Sequence, residues 1–150
     1  MPIEKSAGAI IFREKSGKIF YLLLHYPSSS KTDKDYWDLP KGKIEKEEKI
    51  EETARREIRE ETGIEDVEFI PGFKETIKYF YKSKRKTVFK TVTFLLAKTK
   101  QKEVKISWEH IGYKWLPYEE ALEQITFKNA KDILMKANTF LNSKIKEKNA

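Results

Sequence analysis

Cysteine is absent from the 150 residues. That excludes a disulfide framework and a thiolate metal site together. Long apolar runs are also missing: none approaches the ~20 residues that a membrane span requires. The N-terminus carries no signal-peptide pattern, so a cytosolic protein with no membrane partner is expected. There is no internal repeat, linker-like segment or break in composition. Glutamine is scarce and 37% of residues are charged, a balance that suits a thermophile.

What is present bounds the answer further. A hydrophobic content of 39% and an aromatic content of 13% argue against disorder. One domain over residues 1–150 is expected, with a tail over about 144–150 that frays. The formal net charge of +7 leaves two readings, attraction of a polyanionic substrate or a lysine-rich surface.

The most informative stretch runs from Gly42 to Ile64. From Lys49 onward it reads as one helix that stops at Gly63, where a helix C-terminus favours a left-handed residue. At 100° per residue, Ile50, Ala54 and Ile58 form an apolar stripe. Glu61 projects into that stripe, with Glu57 at its edge and Glu60 one step further round. Like charges at this spacing oppose the fold by roughly 0.2–0.5 kcal/mol per pair, and a carboxylate on a buried stripe costs more. A hard divalent cation such as Mg²⁺ would relieve the conflict, because it takes oxygen ligands and keeps positions open for substrate phosphates. Ion pairs Glu51–Arg55 and Glu52–Arg56 are expected on the outer face, but they do nothing for Glu61.

The stretch Gly42-x5-Glu48-x7-Arg56-Glu57-Ile58-x-Glu60-Glu61-x-Gly63-Ile64 resembles the Nudix box at every fixed position. Resemblance to Nudix hydrolases implies an α/β fold, an α/β/α sandwich around a central mixed sheet that carries the box loop and helix. It implies that Glu57, Glu60 and Glu61, with Gly42, make up the site for Mg²⁺ or Mn²⁺. Glu48 and Arg56 would be scaffold, pairing to lock the loop onto the helix. Residues Lys46-Glu47 stand where many relatives carry Pro-Gly, so a differently shaped turn is expected there.

The remainder of the chain is read around that element. Segments 6–12 and 19–25 form a hairpin, with His25 as a polar strand end. The turn-rich loop over 27–35 is a candidate lid. Tyr36-Trp37-Asp38-Leu39-Pro40-Lys41-Gly42 contains the Trp-x-x-Pro-Lys-Gly run that leads into many Nudix boxes, with Trp37 bracing the loop or packing in the core. Strands over 67–70 and 73–81 are broken at Pro71-Gly72. A basic tip at 82–86 leads into a long strand over 87–97. A short helix over 117–124 and a terminal helix over 129–145 complete the domain.

Over nearly its whole length the chain resembles the asymmetric diadenosine tetraphosphate hydrolases. The shared features include Ala-Gly-Ala-Ile-Ile-Phe near the start, Gly72-Phe-Lys-x4-Tyr79, Lys86-Thr-Val88, Glu109-His110 with Tyr113-x-Trp115-Leu116, and Phe127-Lys128. That likeness implies catalytic roles for Glu57, Glu61 and Glu109, with Glu109 binding metal or activating water. It implies that Tyr79 and Phe127 sandwich adenine, while Lys41 and Lys86 clamp phosphate. Tyr36 stands where animal members carry histidine, so it can hydrogen-bond phosphate but brings no cationic imidazolium. The expected reaction is hydrolysis of a nucleoside polyphosphate, diadenosine tetraphosphate giving ATP and AMP. Alternatives within the class are ADP-ribose, an oxidised nucleoside triphosphate, a 5′-triphosphate RNA end or a diphosphoinositol phosphate. A non-catalytic nucleotide- or RNA-binding module is the alternative outside it. Nucleic acid is not the expected partner, and the sequence leaves monomer and homodimer both open.

Overall fold

The computed structural model describes residues 1–28 and 34–149. Most of the candidate lid over 27–35 lies outside them. The elements in chain order are β1 (Ile3–Lys15), β2 (Lys18–Tyr26), β3 (Tyr36–Asp38), β4 (Lys41–Lys43), α1 (Ile50–Thr62), β5 (Glu68–Ser83), β6 (Lys86–Lys98), β7 (Gly112–Pro117), α2 (Tyr118–Gln124) and α3 (Lys128–Asn149).

The strands form one seven-stranded sheet in the order β3-β2-β1-β6-β5, with β4 also pairing β1 and β7 pairing β2. Among the described residues only β1 and β6 run parallel, from Ile3 opposite Phe89 to Phe12 opposite Lys98, so the sheet is mixed. The uninterrupted apolar run of β1 reflects burial on both faces, with every residue from Ser6 to Phe12 buried. On one face Ile10, Phe12, Tyr21, Leu23, Phe94 and Leu96 pack with Ala121 of α2 and Ile133, Leu134 and Ala137 of α3. On the other, Ala9, Ile11, Leu22 and Leu24 pack with Ile58 of α1. Period-two alternation thus sorts neighbouring residues onto opposite helices, giving the expected α/β/α sandwich.

Several boundaries differ from the sequence reading. The Pro71-Gly72 break is a register shift between Phe69 and Lys74 inside one long β5, so the strand bends without ending. The run before the box, read as a loop, contains β3 and β4, which hold it to β2 and β1. The terminal helix continues to Asn149 rather than stopping at Ile145, and its last turns are exposed. No helix among the described residues is long and apolar enough to cross a membrane.

Candidate active site

Helix α1 is anchored at both ends. The Lys49 amide donates to Glu52 Oε1 at 3.1 Å, satisfying one orphan donor of the first turn. At the C-terminus Gly63 takes a left-handed φ of 73° and its N–H donates to the Arg59 carbonyl at 2.9 Å. Between these caps Ala54 and Ile58 are buried, and Glu61 is buried with them at 6% exposure. The apolar stripe does carry a carboxylate into the interior.

Arg56 is the hub of the loop-to-helix junction. Its Nε and Nη2 grip Glu48 at 2.7 and 3.0 Å, and Nη2 also donates to the Lys43 carbonyl at 3.0 Å. Glu48 additionally accepts from the Glu45 amide and the Thr53 hydroxyl, at 3.0 and 2.7 Å. The Arg56 guanidinium and these hydrogen bonds hold the Glu48 carboxyl down at about 2. The Glu52–Arg56 pair expected from spacing does not form, because Glu52 caps Lys49 and Arg56 turns inward. Arg56 Nη1 also reaches Glu57 at 2.8 Å and Glu60 at 3.3 Å. It therefore touches two of the three clustered carboxylates as well as the scaffold. The nearby turn keeps a left-handed residue, with Glu47 at φ 69° where a glycine would fit at lower cost.

The carboxylates carry the electrostatic strain expected of them. Burial, and then the charge of Glu61, push Glu57 up to about 7 despite the neighbouring Arg56. Burial is also the main cause that raises Glu61, with the charge of Glu109 adding to it and His110 opposing it. Glu61 Oε1 lies 3.3 Å from His110 Nε2 and accepts from the Tyr26 hydroxyl at 3.4 Å. Its other oxygen, Oε2, is buried with no hydrogen-bond partner among the described residues. Glu109 is exposed on the turn between Ser107 and His110, and its amide donates to Ser107 Oγ at 3.3 Å.

Gly42 adjoins this cluster in β4. A side chain there would run into the Glu57 carboxylate, standing 2.5 Å from Oε2 and nearer still to Cδ and Oε1. On the other side of Gly42, Lys41 opens into a cavity of about 480 Å³. Its walls bring together Tyr36, Tyr79 and Phe127, which the sequence singled out, with Lys90 and Asp38, which it did not. Lys41 is mostly buried and Nζ pairs with Asp38 Oδ2 at 3.0 Å. Burial opposes the Lys41 charge, but the Asp38 carboxylate outweighs it and raises the pKa. Lys90 has no such partner among the described residues, and its pKa is lowered by burial and by Lys41.

Lys86 stands apart from this group. It is exposed at the start of β6, four residues before Lys90, or about 13 Å along a strand. Lys90 is the lysine paired across from Tyr79 in the β5–β6 ladder, and it faces the cavity. Strand alternation could have found it, given the register. Trp37 stacks on His25 with centroids 4.2 Å apart, while its amide donates to Thr126 Oγ1 at 2.9 Å. It braces β3 against the segment that carries Phe127, and it packs on the main core as well.

The NUDIX domain family matches this chain over residues 2–137. The chain belongs to the Nudix hydrolase family. A bis(5′-nucleosyl)-tetraphosphatase [asymmetrical] of Mus musculus is 36% identical over 149 residues, covering 93% of this chain and 96% of the mouse protein. Its counterpart in Caenorhabditis elegans is 33% identical over 144 residues, with 93% and 97% covered. Among solved structures, a C. elegans Ap4A hydrolase binary complex superposes with a TM-score of 0.77 at 33% identity, covering 93% of this chain and 98% of that one. The family membership and fold expected from the Gly42–Ile64 stretch therefore hold.

The donor set fits a hard divalent cation. Among the described residues, no three His, Cys, Asp or Glu side chains converge into a ready-made cage. Mg²⁺ does not need one, since it binds through one or two carboxylates and completes its shell with water and substrate phosphates. Buried Glu61 Oε2, unpartnered among the described residues, and the disfavoured charge of Glu57 are what such an ion would satisfy.

Proposed function

We propose that this Nudix hydrolase cleaves a dinucleoside polyphosphate, with diadenosine tetraphosphate giving ATP and AMP, in a reaction that depends on Mg²⁺ or Mn²⁺. The observation that carries this reading is one juxtaposition. An aromatic cavity with two lysines is joined through Lys41 and Gly42 to a carboxylate cluster whose innermost oxygen has no partner. Likeness to asymmetrical tetraphosphatases over almost the full length of both chains supports the choice of substrate.

Tyr36, Tyr79 and Phe127 hold the nucleoside base, where stacking contributes about 1–3 kcal/mol per base. Lys41 and Lys90 face the first phosphates of the chain. Lys90, half-buried and without a carboxylate of its own among the described residues, gains most from an arriving anion. Glu57, Glu60 and Glu61 would hold the cation, with the Gly42 backbone beside them. When bound, that ion screens the phosphate oxygens and polarises the phosphorus under attack. Water attacks that phosphorus in line, the bridging P–O bond on its far side breaks, and the leaving phosphate oxygen takes the electron pair. The proton from water passes to Glu109 or to a box glutamate. A cytosolic site of action accords with a cysteine-free chain.

Product analysis in ¹⁸O-labelled water across a panel of substrates tests this. ATP and AMP from the dinucleotide, with label on one product only, is the expected result. Turnover confined to ADP-ribose, an oxidised nucleoside triphosphate or a 5′-triphosphate RNA end would replace the substrate while keeping the class. Metal-independent binding with no hydrolysis of any member would remove the enzyme reading.

A further inference from the structure

Two residues outside the box converge on Glu61. Tyr26, which no motif marks, ends β2, and His110 closes the turn after Glu109. The His110 ring is buried and held by Nδ1 against Ser107 Oγ at 2.9 Å. Ser107 is itself tied to α1, its amide donating to the Glu61 carbonyl at 3.3 Å. The turn is thus anchored to the backbone of the same residue whose carboxylate it approaches. His110 Nε2 faces Glu61 Oε1 but off the line of a hydrogen bond, so that nitrogen has no partner of its own.

The Tyr26 hydroxyl has one proton and two acceptors, Glu61 Oε1 at 3.4 Å and the Leu39 carbonyl at 3.3 Å. Its ring meets the His110 imidazole edge-on, with centroids 4.5 Å apart. On its other side it stacks flat on Tyr36 at 5.0 Å, and Tyr36 tilts against Phe127 at 5.3 Å. One unbroken series of ring contacts therefore runs from the cavity wall to the buried carboxylate. Among the described residues, both polar groups within reach of the Glu61 carboxylate meet Oε1, and Oε2 has no hydrogen-bond partner.

We infer that Tyr26 and His110 are positioning residues that clamp Oε1 of Glu61 so that Oε2 is presented to a divalent cation. The same Tyr26 ring backs Tyr36 as a wall of the nucleoside cavity. This rests on reading the site as that of a cation-dependent hydrolase. Neither residue touches substrate in this assignment; each acts by restricting the rotamer of Glu61. Outer-shell partners of this kind change metal affinity or activity by about 10–100-fold when they are removed. Tyr26 has two separable parts: its hydroxyl serves Glu61 and its ring serves Tyr36.

The test is an EPR titration of the full chain with Mn²⁺ in the absence of nucleotide. Steady-state kinetics on diadenosine tetraphosphate and melting in chelator accompany it. His110→Ala should weaken Mn²⁺ by about tenfold, and His110→Gln, whose amide nitrogen can occupy the Nε2 position, should recover most of that loss. Tyr26→Phe should weaken Mn²⁺ and lower kcat with KM unchanged, whereas Tyr26→Leu should raise KM as well. Wild-type Mn²⁺ affinity in both Tyr26→Phe and His110→Ala overturns the clamp while leaving the hydrolase reading intact. So does a His110→Gln protein no better than His110→Ala. A wild-type chain that binds Mn²⁺ but spares the dinucleotide overturns the substrate reading alone. No Mn²⁺ binding by the wild type overturns both.

Discussion

Gly42 offers the sharpest test of how the box works, because it separates space from backbone conformation. Its φ is not among the positive values of the chain, so an alanine there meets no left-handed strain. What it meets is Glu57. The added Cβ would stand 2.5 Å from Oε2 and nearer to Cδ and Oε1, whereas ordinary contact begins at 3.4 Å. The carboxylate must therefore retreat by roughly 1 Å or more, out of its 2.8 Å contact with Arg56. The clashing atoms are the end of a flexible side chain, so stability should fall by only about 1 kcal/mol, the low end for overpacking. That is a drop in Tm of about 2–4 °C for a domain of this size. A reacting group displaced by that distance can cost on the order of 100-fold in rate. Gly42→Ala should thus melt almost normally in chelator and hydrolyse dinucleotide about two orders of magnitude more slowly. A double-mutant cycle with Glu57→Ala identifies the cause, since Gly42→Ala should cost nothing further once Glu57 is gone. Undiminished kcat in Gly42→Ala, or full additivity in the cycle, would refute the reasoning.

Glu61→Gln should lose on the order of 10²–10³-fold in kcat. In chelator it should melt no lower than wild type, since it removes a buried charge whose Oε2 has no partner among the described residues; a marked loss of stability there would count against the assignment. Glu109→Ala should slow turnover by about 10²–10⁴-fold with nucleotide affinity retained, and normal turnover removes Glu109 from the reaction. Lys90→Met should raise KM by about tenfold with no loss of stability, whereas Lys86→Met should have the smaller effect. Glu57 sits at about 7 in the fold against 4.5 unperturbed, so its protonated form favours folding. That contribution is complete below pH 4.5 and lost as pH rises through about 7. Discounted for partial exposure it is about 1 kcal/mol. In chelator the wild-type Tm should decline across this window by about 2–4 °C, and Glu57→Gln should flatten the slope.

The sandwich was legible because its local and global patterns agree. The centres of β1 and β2, residues 7–12 and 19–24, are apolar, α1 has its stripe and its Gly63 cap, and the 84–85 tip turns within the basic run expected to form a hairpin tip. Its least legible part was pairing between distant segments. Nothing local announces that β1 runs parallel to β6, each residue paired with one 86 positions on, or that β3 and β4 peel off as separate three-residue strands. Those contacts are exchanged between distant backbones, and they decide which residues face the cavity. Lys86 and Lys90 lie on one strand, and only the ladder opposite Tyr79 selects between them.

The site divides along the same line, by what each residue costs in isolation. A glutamate on an apolar helical stripe opposes folding by itself, so its presence demands a compensating ligand and can be read from spacing alone. Glu57 and Glu61 announced themselves in this way. An aromatic residue beside a strand opposes nothing, since burying it favours the fold whether or not it meets a substrate. Tyr36 and Phe127 therefore stand out only through the family resemblance and Tyr26 not at all, until the strands are in register and their rings prove to form a continuous path from the cavity to the glutamate. His110 is the intermediate case: its imidazole is costly to bury without partners, but the partner that justifies it lies 49 positions away on α1. A functional residue is visible in sequence to the extent that its own burial is unfavourable and its compensation is local.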